Sequence, residues 1–456
     1  MKKIIALLLC LLMIVGMVAC ATNTDNNDQT DGSQDTTPAT ENSDSSDDTN
    51  GNDGDVVTIT YSYWGTPDEA ASVQAVADKF HEEYPNIKVE VMAIPNEEYV
   101  TKLNTMATAG QLPDCGIMNE SGVLDFASDG LLYDISAMYE GADSMPLDSI
   151  TFKSEGKPVA YSAANEVLSL YYNKDMFDAA GIEVPTEWSF EEFREIARKL
   201  THGEGDSKVY GMFFNSQQDL LYPFNYFSVQ TLGGDPLYHA DGTANVNDPV
   251  NVAAIELVNN MMNVDHTAPT HTDSVTQKLS QEGMFITGKS AMTIGPWMVR
   301  SIKDRDNYPH DFKTAFAPYP TIDGVRTYTQ GGYGDHLCIN PKSKHIDAAW
   351  EFMKWYATEG MLPLTSGGRV PSANTYDSVE VTEYFLKGAE DLLDAETAQN
   401  VLIVPASNHA VPSITTKLPE INKVLTEELE NIYTGVKTVQ QGMDDAQARA
   451  EALLAK

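Results

Sequence analysis

Residues 56–94 read VVTITYSYWGTPDEAASVQAVADKFHEEYPNIKVEVMAI, and this stretch decides the fold class. Val56 to Tyr63 alternates as a strand does and stops at Trp64-Gly65-Thr66-Pro67. Val73, Val76, Ala77, Phe80 and Tyr84 then recur at helical spacing and end before Pro85. The run IKVEVMAI that follows alternates again. A strand, a helix and a strand of these lengths imply a right-handed crossover joining parallel strands. PDCGIMN, residues 113–119, reads as a third strand.

The rest of the chain continues the pattern. In WSFEEF, residues 188–193, Ser189 is placed to cap a helix, Glu192 to close a capping box and Trp188 to staple onto Phe193. Helical patterns recur at Asn251–Asn263, Ile346–Thr358, Glu420–Tyr433 and Asp444–Leu454. Strand-like runs fall between them, at Lys208–Phe214, Ser290–Ile294 and Asp335–Ile339. At 456 residues the chain is too long for one ordinary core, so an α/β protein of two domains is expected.

The N-terminus carries an address. Met1-Lys2-Lys3 precedes an apolar run from Ile4 to Val18, which is the plan of a secretory signal and too short for a spanning helix. From Ala21 to Asp55 there is no Lys or Arg, and ten acidic residues stand among Asn, Thr, Ser and Gly. Such a segment buries too little apolar surface to offset its ordering entropy, and its like charges extend it. The expectation is a signal peptide over residues 1–19 and a disordered acidic linker over 20–55.

The formal net charge of −38 argues against a nucleic-acid partner, because phosphate contacts need Lys and Arg. It equally disfavours adsorption onto anionic lipid heads. Removing Lys2 and Lys3 with the signal makes the chain more acidic still. Cys115 and Cys338 each sit in a short apolar run, as buried thiols or as one bridge; spacing leaves both readings open. There is no G-x-S-x-G elbow, H-E-x-x-H pair or phosphate loop, and the nine His do not cluster at ligand spacing. No metal site, cofactor or catalytic residue is expected.

Four segments resemble one family, in its order and at its spacing: GQLPDCGIMNESGVLDFASDGLLYDIS (110–136), GKPVAYSAANEVLSLYYNKDMFDAAGI (156–182), GKSAMTIGPWMVRSI (288–302) and DAAWEFMKWYATEG (347–360). They are similar to the extracellular solute-binding proteins of ABC-type, ATP-driven importers, in the carbohydrate branch typified by maltose-binding protein. Met17-Val18-Ala19-Cys20 likewise resembles a bacterial lipobox. That resemblance implies cleavage before Cys20, lipid on its sulfur, and a Gram-positive lipoprotein on the extracellular face of the cell membrane. The alternative is plain secretion after a cut near Ala19.

The family resemblance implies a two-lobe α/β fold, each lobe a mainly parallel sheet flanked by helices, joined by crossing hinge segments. Residues 56–165 plus 320–370 would form the N-lobe, and 166–319 plus 371–456 the C-lobe. The chain would cross near Ala164–Leu168, Ala317–Thr321 and Arg369–Asn374. It implies a monomer that captures a carbohydrate between the lobes and delivers it to a transmembrane permease.

Sugar binding sets its own requirements. The apolar C–H face of a pyranose stacks on aromatic rings, while its hydroxyl rim needs paired donors and acceptors. Trp297 matches the family's stacking Trp in its AMTI-GPW context, and Glu166 the hydroxyl-binding carboxylate at the hinge crossing. Trp64, with Gly65, Thr66 and Asp68, follows the first strand and either meets ligand or packs the first helix. Asn119, Glu120 and Ser121 follow the third strand as hydroxyl partners. Tyr222 and Tyr226 are aromatic candidates of the second lobe with Asp219 beside them, and core packing is the competing role. Tyr333 and Asp335, in QGGYGDH (330–336), lie where paired Gly allows close backbone approach. Arg369, in SGGRVPS (366–372), pairs with a carboxylate, holds a hydroxyl or ties the lobes.

Two departures matter. After its third strand this chain has Met118-Asn119-Glu120-Ser121-Gly122 where the maltose binder has an aromatic followed by charges. No Trp occurs near Pro412–Leu418, where the maltose binder has another stacking Trp. The class carries over, and maltose does not. Two other readings stay in view: a binder of a polyol, amino sugar, metal or peptide on the same fold, and a secreted glycosidase, which would need two carboxyl groups at a defined separation.

Overall fold

The computed structural model describes residues 56–65, 67–139, 151–154, 156–295, 298–326, 331–373, 376–404 and 417–455. The strands are β1 (Val57–Trp64), β2 (Ile87–Ile94), β3 (Cys115–Met118), β4 (Thr151–Ser154), β5 (Lys157–Val167), β6 (Leu170–Asn173), β7 (Met292–Ile294), β8 (Thr314–Ala317), β9 (Gly331–Ile339) and β10 (Val370–Pro371). They form two sheets. The larger runs β10-β5-β9-β3-β1-β2 with β4 added on β5, and the smaller runs β7-β6-β8.

The opening stretch folds as its pattern dictates. β1 and β2 pair in parallel from Val57↔Ile87 to Trp64↔Ile94, joined by the helix Pro67–Glu83. Val73, Val76, Ala77 and Phe80 of that helix are buried against the sheet, and the Phe80 ring meets Phe352 edge-on at 5.2 Å. A fully buried side chain of this size contributes roughly 1.5–3 kcal/mol.

The α/β class and the flanking helices agree with expectation, whereas the strand directions do not. Mainly parallel sheets were expected. β1 is parallel to β2 and β3, but β3–β9, β5–β9, β5–β10 and β4–β5 are antiparallel, as are both pairings of β6. The reason lies in the connections between sheets. β5 ends at Val167 in the larger sheet and β6 begins at Leu170 in the smaller; β8 then ends in the smaller sheet before β9 opens in the larger. Segments that leave and return run in opposite directions, so β5 and β9 pair antiparallel.

Several local readings are sharpened. Ser189 accepts from the Glu192 amide while the Glu192 carboxylate accepts from the Ser189 amide, and Trp188 meets Phe193 at 5.2 Å. The Ile346 helix ends at Trp355 and continues as a π-turn over Tyr356–Gly360. Lys208–Phe214 is not a strand; it makes single bridges, including Tyr210↔Ser290 and Phe213↔Thr293. Cys115 and Cys338 are free, buried thiols in neighbouring strands, packed in different core clusters, which closes the question of a bridge between them.

Candidate functional site

Two strand ends, one from each sheet, share an unusual backbone. β1 ends in Trp64-Gly65 with φ +139° at Gly65, and β7 runs into Gly295 with φ +134°. Side chains rarely adopt such angles, so both turns require glycine. A Cβ on Gly65 would lie 2.7 Å from the Glu69 carboxylate, and one on Gly295 would lie 2.6 Å from the Gln281 amide. Gln281 in turn donates to the Ile294 carbonyl, which fixes the turn before Pro296-Trp297.

A salt bridge joins the helices that follow these turns. Arg300, on the helix Met298–Lys303, reaches Glu69 of the helix Pro67–Glu83 at 2.7 Å. The same guanidinium donates through Nε to the Gly367 carbonyl at 3.0 Å. Burial and the neighbouring Arg369 push the Arg300 pKa down, while Glu69 opposes them.

Beside it sits a deeper pair. Arg369 donates through Nε to Asp335 at 2.9 Å, and both side chains are buried. Asp335 adopts φ +48°, a region that Asp tolerates better than most residues. The Arg369 guanidinium also lies over the Tyr63 ring, 5.5 Å from its centroid. Burial works against the charge of Arg369, and Asp335 overcomes it, so the pKa is raised.

The expected site residues divide into groups. Trp64 is half-buried and packs edge-on against Tyr99 at 5.3 Å, so its ring serves the first core. Asn119 caps the helix Glu120–Ser128 by accepting from the Gly122 amide. Tyr222 is a core residue stacked on Phe214, whereas Tyr226 is half-buried and lies parallel to Tyr319 at 5.3 Å. The Asp219 carboxyl is pushed up by burial, and its side chain accepts from the Leu221 amide.

Glu166 and Tyr333 are known by backbone register alone, in Glu166↔Gly332 and Asn165↔Tyr333. Asp68 and Glu120 are known only as helical residues, and Trp297 lies outside the described residues. Tyr63, Glu69 and Arg300 escaped the sequence reading. Arg300 stood in the stretch GKSAMTIGPWMVRSI, but its partner is remote in sequence and no local spacing announces it.

Among the described residues no group of three or more metal-binding side chains occurs, and no helix is long and apolar enough to cross a membrane.

Glycine turns at strand ends of two sheets, followed by helices that Glu69 and Arg300 join, are features of a two-lobe α/β protein. Residues 64–361 match the model of the bacterial extracellular solute-binding protein family, and the chain belongs to that family. A maltotriose-binding protein of Pyrococcus abyssi is 25% identical over 64% of this chain and 60% of its own length. The sn-glycerol-3-phosphate-binding periplasmic protein of Pectobacterium atrosepticum is 25% identical over 84% and 88%. An ABC substrate-binding protein of Listeria monocytogenes, solved in complex with cycloalternan, superposes with a TM-score of 0.67 at 20% identity, covering 88% of this chain and 100% of that one.

Proposed function

We propose that this protein captures a neutral carbohydrate between its two lobes and hands it to the permease of an ABC importer, without catalysing a reaction. Lipid on Cys20 and the acidic linker would tether it to the outer face of the membrane as a monomer. The lobes are assigned as residues 56–165 plus 320–370 and 166–319 plus 371–456. Trp297 would stack on the sugar face, with Glu166, Asp68, Glu120 and Tyr333 drawn on for the hydroxyl rim and Tyr226 for a second apolar contact.

The observation that carries this reading is the pair of glycine turns, Gly65 and Gly295, each followed by a helix, with Glu69 and Arg300 joining those helices. Trp297 stands two positions after Gly295 in sequence, so we assign it to that strand end. Ligands of open α/β sheets sit beyond the carboxyl ends of strands. The maltotriose-binding relative supports the sugar.

The glycerol phosphate-binding relative raises an anionic ligand as the competitor. The charge arrangement favours the neutral one, because Arg300 and Arg369 each already hold a carboxylate. A thermal-shift panel separates these ligands. Stabilisation by a neutral oligosaccharide and none by glycerol phosphate is expected. The reverse result overturns the proposal, and steady hydrolysis of the oligosaccharide would overturn the non-catalytic part.

A further inference from the structure

We propose that Glu69 and Arg300 form an electrostatic latch that sets how far the ligand-free protein closes. The proposal rests on the two-lobe reading and not on the identity of the ligand. Among ion pairs between described residues, this one alone joins a helix packed on the larger sheet to a helix that packs with the smaller. The others lie within one lobe or tie Arg369 to Asp335 of β9.

Three features suit the pair to this task. The helix of Arg300 is held within its own lobe, where Lys303 donates to the Phe385 and Lys387 carbonyls, while Arg300 Nε reaches across to the Gly367 carbonyl beside its bond to Glu69. The helix therefore keeps its place when the lobes part, and the bonds of the guanidinium to Glu69 and to the Gly367 carbonyl break together. Glu69 is held close by Gly65, whose missing Cβ leaves room for the carboxylate. The two side chains retain 36% and 29% exposure, so the broken state is rehydrated rather than stranded. A fully buried pair would cost too much to separate for a moving part.

A half-exposed pair of this kind is worth roughly a two- to fivefold change in an equilibrium. That is enough to bias a closure whose two forms differ by little, and too small to lock it. Ligand affinity would follow, because closure that is already partly populated lowers what the ligand must supply.

The test needs no ligand. Spin labels on Glu97→Cys and Glu195→Cys, in the mature chain with Cys20→Ser, report the interlobe distance; both sites are exposed and belong to different lobes. Glu69→Gln and Arg300→Gln should each lower the short-distance fraction by about two- to fivefold, and the double variant should match Arg300→Gln. Raising NaCl to about 1 M should shift the unsubstituted pair the same way and leave Glu69→Gln unmoved, since salt screens exposed charge. The salt series holds even if Arg300→Gln folds poorly. Distance distributions indifferent to Glu69→Gln and to salt would overturn the latch, whatever the sugar panel returns.

Discussion

Asp335 accepts a 2.9 Å hydrogen bond from Arg369 in the interior beside the larger sheet, from a backbone held at φ +48°. Removing one partner strands the other's charge in a site with almost no water. Arg369→Met should cost roughly 3–5 kcal/mol in urea unfolding, and Asp335→Asn with Arg369→Met should recover much of it. A single variant no less stable than the double contradicts this account of the pair. Arg369→Lys should not rescue, because the ring contact with Tyr63 and the planar fork both need a guanidinium.

His336 gives the protein a defined acid lability. It is buried in β9, with Nδ1 2.7 Å from the Ser162 hydroxyl, and burial lowers its pKa to about 3. The unfolded chain protonates this ring below about 6.5 while the folded one does not. Stability from this group is therefore complete above pH 6.5 and is lost as pH falls toward 3. The slope approaches about 1.4 kcal/mol per pH unit within that window. Urea titrations at pH 7, 6 and 5 should show a shallower decline for His336→Asn than for the parent protein. Equal slopes would remove His336 from the explanation.

The two core thiols should be silent until the protein opens. Cys115 and Cys338 are buried on the sheet, and burial raises both thiol pKa values. The protein under native conditions should leave both unmodified by a thiol reagent, and denaturant should expose two reactive groups without reductant. Rapid labelling of the folded protein, or a need for reductant, is the contrary outcome.

Gly295 should resist substitution. Alanine there meets both the φ of +134° and the Gln281 amide, so Gly295→Ala should destabilise by about 1–3 kcal/mol in thermal or urea unfolding. It should weaken ligand binding more than Gly110→Ala, which has open space around its Cβ position and serves as the strain control. Indistinguishable binding by the two variants would detach the turn from the site.

Local chemistry was legible in the sequence, and remote pairing was not. The helix of residues 67–83 followed from its apolar period, and the Ser189–Glu192 capping box from four adjacent residues, because both signals lie within one turn of chain. Strand direction depends on which way each hinge segment traverses, and nothing local encodes that. Tyr222 shows the limit on the site: its sequence context leaves cleft and core roles open, and its ring stacks on Phe214 in the core. Glu69 and Arg300 acquire their meaning only when two helices distant in sequence meet. Arg369 was readable as a partner for a carboxylate, but which carboxylate was not, and Asp335 was not distinguishable from a ligand contact.

Calorimetric titration of the parent protein and Trp297→Ala with a panel of neutral oligosaccharides tests the central claim most directly. The account predicts saturable binding of at least one oligosaccharide by the parent protein. It predicts loss of that binding in Trp297→Ala, with the unfolding transition otherwise retained. Near-normal affinity in Trp297→Ala, or no oligosaccharide bound by the parent protein, would contradict it.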